Sequence, residues 1–136
     1  MREEIFCPIR KRRVTATPEE QVRCQLLTKM VQELGYPLSL LSVERKIHEF
    51  LPQMAKTQIP NRRIDILCYS KNLEPLLLIE CKASAFPKNA VPQLLGYNYF
   101  IRAPYIAIVS RDKTFIVSRE GVVYDNFPQY EDLLYK

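Results

Sequence analysis

The 136-residue chain contains a single histidine, His48, and four cysteines, Cys7, Cys24, Cys68 and Cys81, none of them in a C-x-x-C pair. That poverty argues against a structural zinc site and against triad chemistry built on a placed imidazole. No apolar run approaches the length of a membrane span, and the first residues lack the apolar stretch of a signal peptide. The expected location is therefore the reducing cytoplasm, with no membrane partner, and Cys68 and Cys81, set inside apolar runs, read as small core residues. Internal repeats, low-complexity segments, a recognition helix and a zinc module are all missing as well. With 47% hydrophobic and 26% charged residues, disorder is not a serious reading. The length suits one domain over residues 1–136. A net charge of +5 and a pI near 9.1 are compatible with a polyanionic partner without demanding one.

What the chain does have is the run Leu76-Leu77-Leu78-Ile79-Glu80-Cys81-Lys82. Its branched apolar residues, preceded by Pro75, predict a strand buried on both faces. Alternation puts Leu76, Leu78, Glu80 and Lys82 on one face and Leu77, Ile79 and Cys81 on the other. The first face thus passes from oil to charge at the C-terminal end of the strand, where open α/β sheets place their chemistry. Upstream, Arg62 to Tyr69 predicts a second strand, joined to the first through the polar turn Ser70 to Glu74. In a hairpin centred on Asn72-Leu73, Tyr69 faces Leu76 and Asp65 faces Glu80. Two carboxylates side by side call for a cation between them, either Lys82 or a divalent metal. A plain structural ion-pair cluster is the alternative.

Residues 1–16, with Arg2, Arg10, Lys11, Arg12 and Arg13, read as a basic arm, either solvated or in contact with phosphates. The core spans residues 17–118. Thr17 reads as a helix N-cap, with Pro18 in the first turn and Glu20 as its capping-box partner. Val22, Leu26, Leu27, Met30, Val31 and Leu34 form the apolar stripe of that helix, and Gly35 closes it. Arg23 lies within the stripe beside Glu19 and Glu20, which points to a polar site against which the helix packs. A strand is expected over residues 38–50 and a loop from Pro52 to Pro60. Asn89 is expected to cap a helix from Ala90 to about Ile101, with Gln93 and Tyr97 sharing a face and Gly96 allowing close approach to the sheet. Strands are expected over Tyr105–Ser110 and Thr114–Ser118, and residues 119–136 form an extension with no assigned element.

The order helix, three strands, helix, strand describes an α/β fold with a mixed sheet flanked by helices. With Asp65 on one strand and Glu80-Cys81-Lys82 on the next, the chain resembles the PD-(D/E)xK nuclease superfamily, whose core is αβββαβ and restriction-endonuclease-like. Within it the chain is most similar to the N-terminal nuclease domain of type I restriction enzyme R subunits. The resemblance rests on Thr17 to Arg23, Leu34-Gly35-Tyr36-Pro37, Arg63-Ile64-Asp65-Ile66 and Leu77 to Ala83, with Gln93-x-x-x-Tyr97 matching a pair that some members add.

The resemblance implies a DNA phosphodiester hydrolase that uses Mg²⁺ or Mn²⁺. Asp65, Glu80, Lys82 and Glu20 would be its catalytic residues, with Glu19 one position away as the other candidate acid. Asp65, Glu80 and the backbone carbonyl of Cys81 would hold the metal, and Gln93, Tyr97, Arg23 and Arg63 would contact nucleic acid. Sequence-tolerant phosphate contacts are expected, with a protein partner or a second copy supplying any specificity. Type I subunits carry a motor domain after the nuclease and none follows within these residues, so the expectation concerns fold and site rather than restriction as a role. The other reading is a non-catalytic nucleic-acid-binding or assembly module that keeps the fold.

Overall fold

A computed structural model describes residues 3–54 and 59–134. The N-terminal stretch is not an extended arm. Strands β1 (Glu4–Cys7) and β2 (Arg12–Thr15) pair antiparallel as a hairpin, with Cys7 and Val14 buried in the core. Helix α1 (Pro18–Gln32) starts where the sequence predicts, the Thr17 hydroxyl accepting the Glu20 N–H at 3.2 Å. Glu20 does not complete a capping box, because its carboxylate is turned to two arginines. Gly35, at φ +76°, ends the helical segment in a left-handed turn that favours glycine.

The stretch expected as one strand over 38–50 divides into three pieces. A 3₁₀ turn (Leu38–Leu40) leads into β3 (Leu41–Lys46), which is followed by a single helical turn, α2 (Ile47–Phe50). The uneven spacing of apolar residues there reflects that division, since no single period fits three geometries. Of the loop expected over Pro52–Pro60, residues 55–58 lie outside the described residues.

Strands β4 (Arg63–Tyr69) and β5 (Pro75–Cys81) form the predicted hairpin. Ile66 pairs with Ile79, Leu67 with Leu78 and Cys68 with Leu77, the register that also sets Asp65 toward Glu80. It slips between Cys68 and Tyr69, so Tyr69 pairs with Pro75 rather than Leu76. Next to that irregularity Leu76 joins the apolar cluster of Leu77 and Ile79, not that of Leu78. Helix α3 (Ala90–Ile101) matches its predicted span, although the Asn89 side chain makes no cap bond. Gly96 is exposed, and a Cβ there would meet nothing within 4 Å, so it does not serve close packing on the sheet.

Strand β6 (Tyr105–Val109) lies parallel to β5, and β7 (Thr114–Ser118) pairs antiparallel with β6. The C-terminal extension adds a short edge strand, β8 (Val123–Tyr124), and a terminal helix, α4 (Tyr130–Leu134). Among the described residues the main sheet runs β3-β4-β5-β6-β7-β8. Its two faces are both covered, as a central parallel pair requires. Val22, Leu27 and Met30 of α1 join Leu77, Ile79 and Ala107 on one side, while Leu94 and Ile101 of α3 join Leu78, Ile106 and Ile108 on the other. Alternation along β5 and β6 thus assigns successive residues to α1 and α3. The extension is tied back by Tyr36, whose hydroxyl donates to the Pro128 carbonyl, and by Tyr130, whose hydroxyl donates to that of Tyr69. This architecture is an α/β, restriction-endonuclease-like fold. Among the described residues no helix is long and apolar enough to cross a membrane.

Candidate metal centre

Three elements meet where the apolar run of β5 gives way to charge. Helix α1 brings Glu19, Glu20 and Arg23, β4 brings Asp65, and β5 brings Glu80 and Cys81. One carboxylate oxygen each from Glu19, Asp65 and Glu80 lies within 4.8 Å of the other two. Asp65 is buried, Glu80 half-buried and Glu19 exposed, so the cluster is anchored in the protein and open to solvent on one side. The register that sets Asp65 toward Glu80, and the packing of α1 against β5, are what bring these acids together.

Asp65 is held from two directions. Its Oδ2 accepts the Cys81 N–H at 2.7 Å, beyond the last Ile66–Ile79 pair, so the side chain satisfies a main-chain donor that the ladder leaves over. Its Oδ1 accepts from Arg23 Nη2 at 2.7 Å. Each carboxylate oxygen retains a further lone pair for another partner.

Arg23 is 3% exposed, so it is not placed to reach nucleic acid without rearrangement. Its guanidinium pairs with Glu20, Glu44 and Asp65, each at 2.7 Å, and its buried Nε finds no acceptor among the described residues. Burial works against its charge, but the neighbouring carboxylates, Asp65 foremost, hold its pKa above the ordinary arginine value. Glu20 is bound on its other oxygen by Arg10 at 2.6 Å. Burial opposes its ionisation too, yet the hydrogen bond from Arg10 and the charges of Arg23 and Arg10 keep its pKa below the usual carboxylate range. Glu20 is thus engaged by two arginines, whereas Glu19 shares the open cluster with Asp65 and Glu80.

Glu80 behaves in the opposite way. Burial, with a hydrogen bond to the Asp65 carboxylate and its negative charge next, raises its pKa to about 8, while Lys82 and Arg62 pull it back only in part. Burial and the neighbouring Asp65 carboxylate thus disfavour the charged form of Glu80 while no added cation is present. Hard oxygen donors short of positive charge fit a divalent ion such as Mg²⁺ or Mn²⁺. The Cys81 thiol does not suit that role, since burial and then the charge of Asp65 raise its pKa well above the ordinary value. Lys82 is half-buried, its Nζ 4.0 Å from Glu80 Oε1 and its N–H bonded to the Val109 carbonyl.

The remaining predicted residues lie around this centre. Arg63 is exposed and sits 3.8 Å from Glu44. Gln93 is exposed and Tyr97 half-buried on α3. The Arg62 guanidinium lies 5.6 Å from the Tyr97 ring centroid, a cation–π arrangement. Glu44 and Arg62 were not singled out as site residues by sequence reasoning, and Arg10, read there as part of a basic arm, pairs instead with Glu20. Glu44 lies in β3 at φ +59°, a left-handed conformation uncommon for glutamate, and the β3–β4 pairs Val43–Ile66 and Arg45–Ile64 skip it and Asp65. Nothing in the local sequence signals that conformation. Arg62 had one signal, its place directly before the Asp65 strand. Beside Glu44 and Arg63 opens a cleft of about 770 Å³, also lined by Arg45, Lys46 and His48.

No curated protein matches the chain. A family model does, that of the type I restriction enzyme R protein N terminus, and it matches residues 18–131, from the first residue of α1 into α4. That span takes in every element that builds the acidic centre, from Glu19 to Lys82, and both helices that sandwich the sheet. The chain belongs to the type I restriction enzyme R protein N-terminal family.

Proposed function

We propose that the protein is a metal-dependent nuclease that hydrolyses DNA phosphodiester bonds, and the observation that carries this reading is the convergence of Glu19, Asp65 and Glu80 within 4.8 Å, with Lys82 beside them. Glu19, Asp65 and Glu80, with the Cys81 backbone carbonyl, would hold one Mg²⁺ or Mn²⁺. When bound, such an ion acidifies water and offsets the charge that develops on phosphorus. Asp65, fixed by Arg23 and the Cys81 N–H, keeps the donor set in place before the ion arrives. Lys82 orients the attacking water and faces the scissile phosphate. Glu20, also proposed for the site, acts from behind it by holding Arg23. Gln93, Tyr97 and Arg63 contact the nucleic acid backbone, and Arg62, stacked on Tyr97, adds a further phosphate contact. Any base preference then comes from a partner protein or a second copy of the chain.

Cleavage of supercoiled and linear DNA in Mn²⁺, measured with DNA binding, tests the reading in the parent and in Lys82→Ala. The parent cleaves, and Lys82→Ala slows cleavage by at least about a hundredfold while binding changes little. Cleavage that persists unchanged in Lys82→Ala argues for another site. An absence of cleavage by the parent, with metal and DNA still bound, favours a non-catalytic binding module on the same fold.

A further inference from the structure

The acids around Asp65 fall into two groups, and only one of them is short of positive charge. On one side Glu19, Asp65 and Glu80 form the open cluster. On the other, Glu20 and Glu44 are tied to Arg23, which also bonds Asp65, and Arg10 takes the second oxygen of Glu20. Asp65 therefore lies between the Arg23 guanidinium on one side and the open acidic cluster on the other. The first of these two sides already holds a cation, supplied by a side chain. Arginine suits that place because its charge is permanent and its planar fork can serve several carboxylates at once.

The formal charges separate cleanly. Behind Asp65, Glu20 and Glu44 contribute −2, and Arg10 and Arg23 contribute +2, so nothing remains there for a divalent ion to neutralise. In front, with Glu80 ionised as a metal ligand must be, Glu19, Asp65 and Glu80 contribute −3 and Lys82 +1, leaving −2, the charge of one divalent cation. Arg62 and Arg63 are exposed, and water screens their contribution. The left-handed backbone at Glu44 belongs to the same device, since this strained residue supplies the carboxylate that shares Arg23 Nη2 with Asp65.

We propose that Arg23 is a positioning residue that takes the place of a second metal ion, so that the centre binds a single divalent cation. This inference rests on the metal-dependent reading of the Glu19, Asp65 and Glu80 cluster. Arg23 acts through Asp65: it orients the carboxylate and closes the far side of it to a second ion. Glu20 and Glu44 hold the guanidinium, and Arg10 holds Glu20.

The test counts bound Mn²⁺ by calorimetric titration and by electron paramagnetic resonance, in the full chain and in two variants, with folding followed by circular dichroism. The parent binds one Mn²⁺. Arg23→Ala, which removes the guanidinium from among three carboxylates, binds two, while Arg23→Lys, which keeps a cation there, binds one. If Arg23→Ala is unfolded in chelator but folds in Mn²⁺ with two ions bound, the second ion has replaced the guanidinium and the proposal stands. An Arg23→Ala chain that stays unfolded at saturating Mn²⁺ overturns it, as does a folded one that still binds a single ion. Two ions in the parent also overturn it while leaving the metal-dependent reading intact, and no bound ion in the parent defeats both.

Discussion

Asp65 accepts the backbone N–H of Cys81 at 2.7 Å, at the point where the pairing of their two strands stops. A carboxylate that finishes a β-ladder is part of the fold as well as part of the site, because its removal leaves a buried N–H without its acceptor and the buried Arg23 with one carboxylate fewer.

Asp65→Ala is accordingly expected to cost about 3–5 kcal/mol in unfolding free energy, the range for removing one member of a buried charge pair. Asp65→Asn keeps an acceptor for the Cys81 N–H and should cost less, while still losing the Mn²⁺ response. Denaturant unfolding in chelator, then in Mn²⁺, separates the two effects. Equal stability of the alanine variant and the parent would show that the two hydrogen bonds contribute little.

Glu19 and Glu20 should part company in the same experiments. Glu19 is exposed and belongs to the open cluster, so Glu19→Gln is expected to weaken Mn²⁺ binding by tenfold or more with stability in chelator unchanged. Glu20→Gln should do the reverse, losing about 1.5–3 kcal/mol through its bonds to Arg10 and Arg23 while still binding the ion. The opposite pattern would return Glu20 to the metal.

The pH dependence of stability follows from Glu80. Its pKa is raised on folding from 4.5 to about 8, so the folded protein binds a proton that the unfolded chain has already released. That contribution is fully present below about pH 4.5 and is lost as pH rises through about 8, so stability in chelator declines over this window. Mn²⁺ must displace the same proton, so the rise in thermal midpoint on adding Mn²⁺ should grow between pH 6 and 8.5. Glu80→Gln should remove both trends. Thermal melts with and without Mn²⁺ across that range decide the matter, and coincident midpoints at every pH would mark the cluster as structural.

Binding to duplex DNA is expected to fall steeply as salt rises, because the proposed contacts from Arg62, Arg63, Gln93 and Tyr97 are to phosphates rather than bases. Arg62→Ala should weaken binding to all sequences alike and lower the salt slope by about one. Tyr97→Ala should reproduce part of that loss, since the ring supports the Arg62 guanidinium, whereas Tyr97→Phe keeps a face for it. Fluorescence anisotropy at several salt concentrations measures the slope. A flat dependence would remove these residues from the interface.

Local sequence determined the parts whose physics is local. The apolar run ending in Glu80 read as a buried strand, a hairpin centred on Asn72-Leu73 matched the pairing from Ile66–Ile79 to Cys68–Leu77 though not that of Tyr69, and Thr17-Pro18 fixed where α1 begins, so Asp65, Glu80 and Lys82 were legible as neighbours from the sequence. The N-terminal hairpin was not legible, because its short strands carry little alternation and are stabilised by packing Cys7 and Val14 against the core. Nor could the sequence decide between Glu19 and Glu20, since adjacent residues on a helix point about 100° apart and only the docking of α1 selects which one faces the cluster. The same holds for Arg23. Its spacing placed a cation on the apolar face of α1, but Glu44 and Asp65 reach the site from two separate strands, and only the tertiary structure, by excluding water from that junction, made the guanidinium their common partner with Glu20.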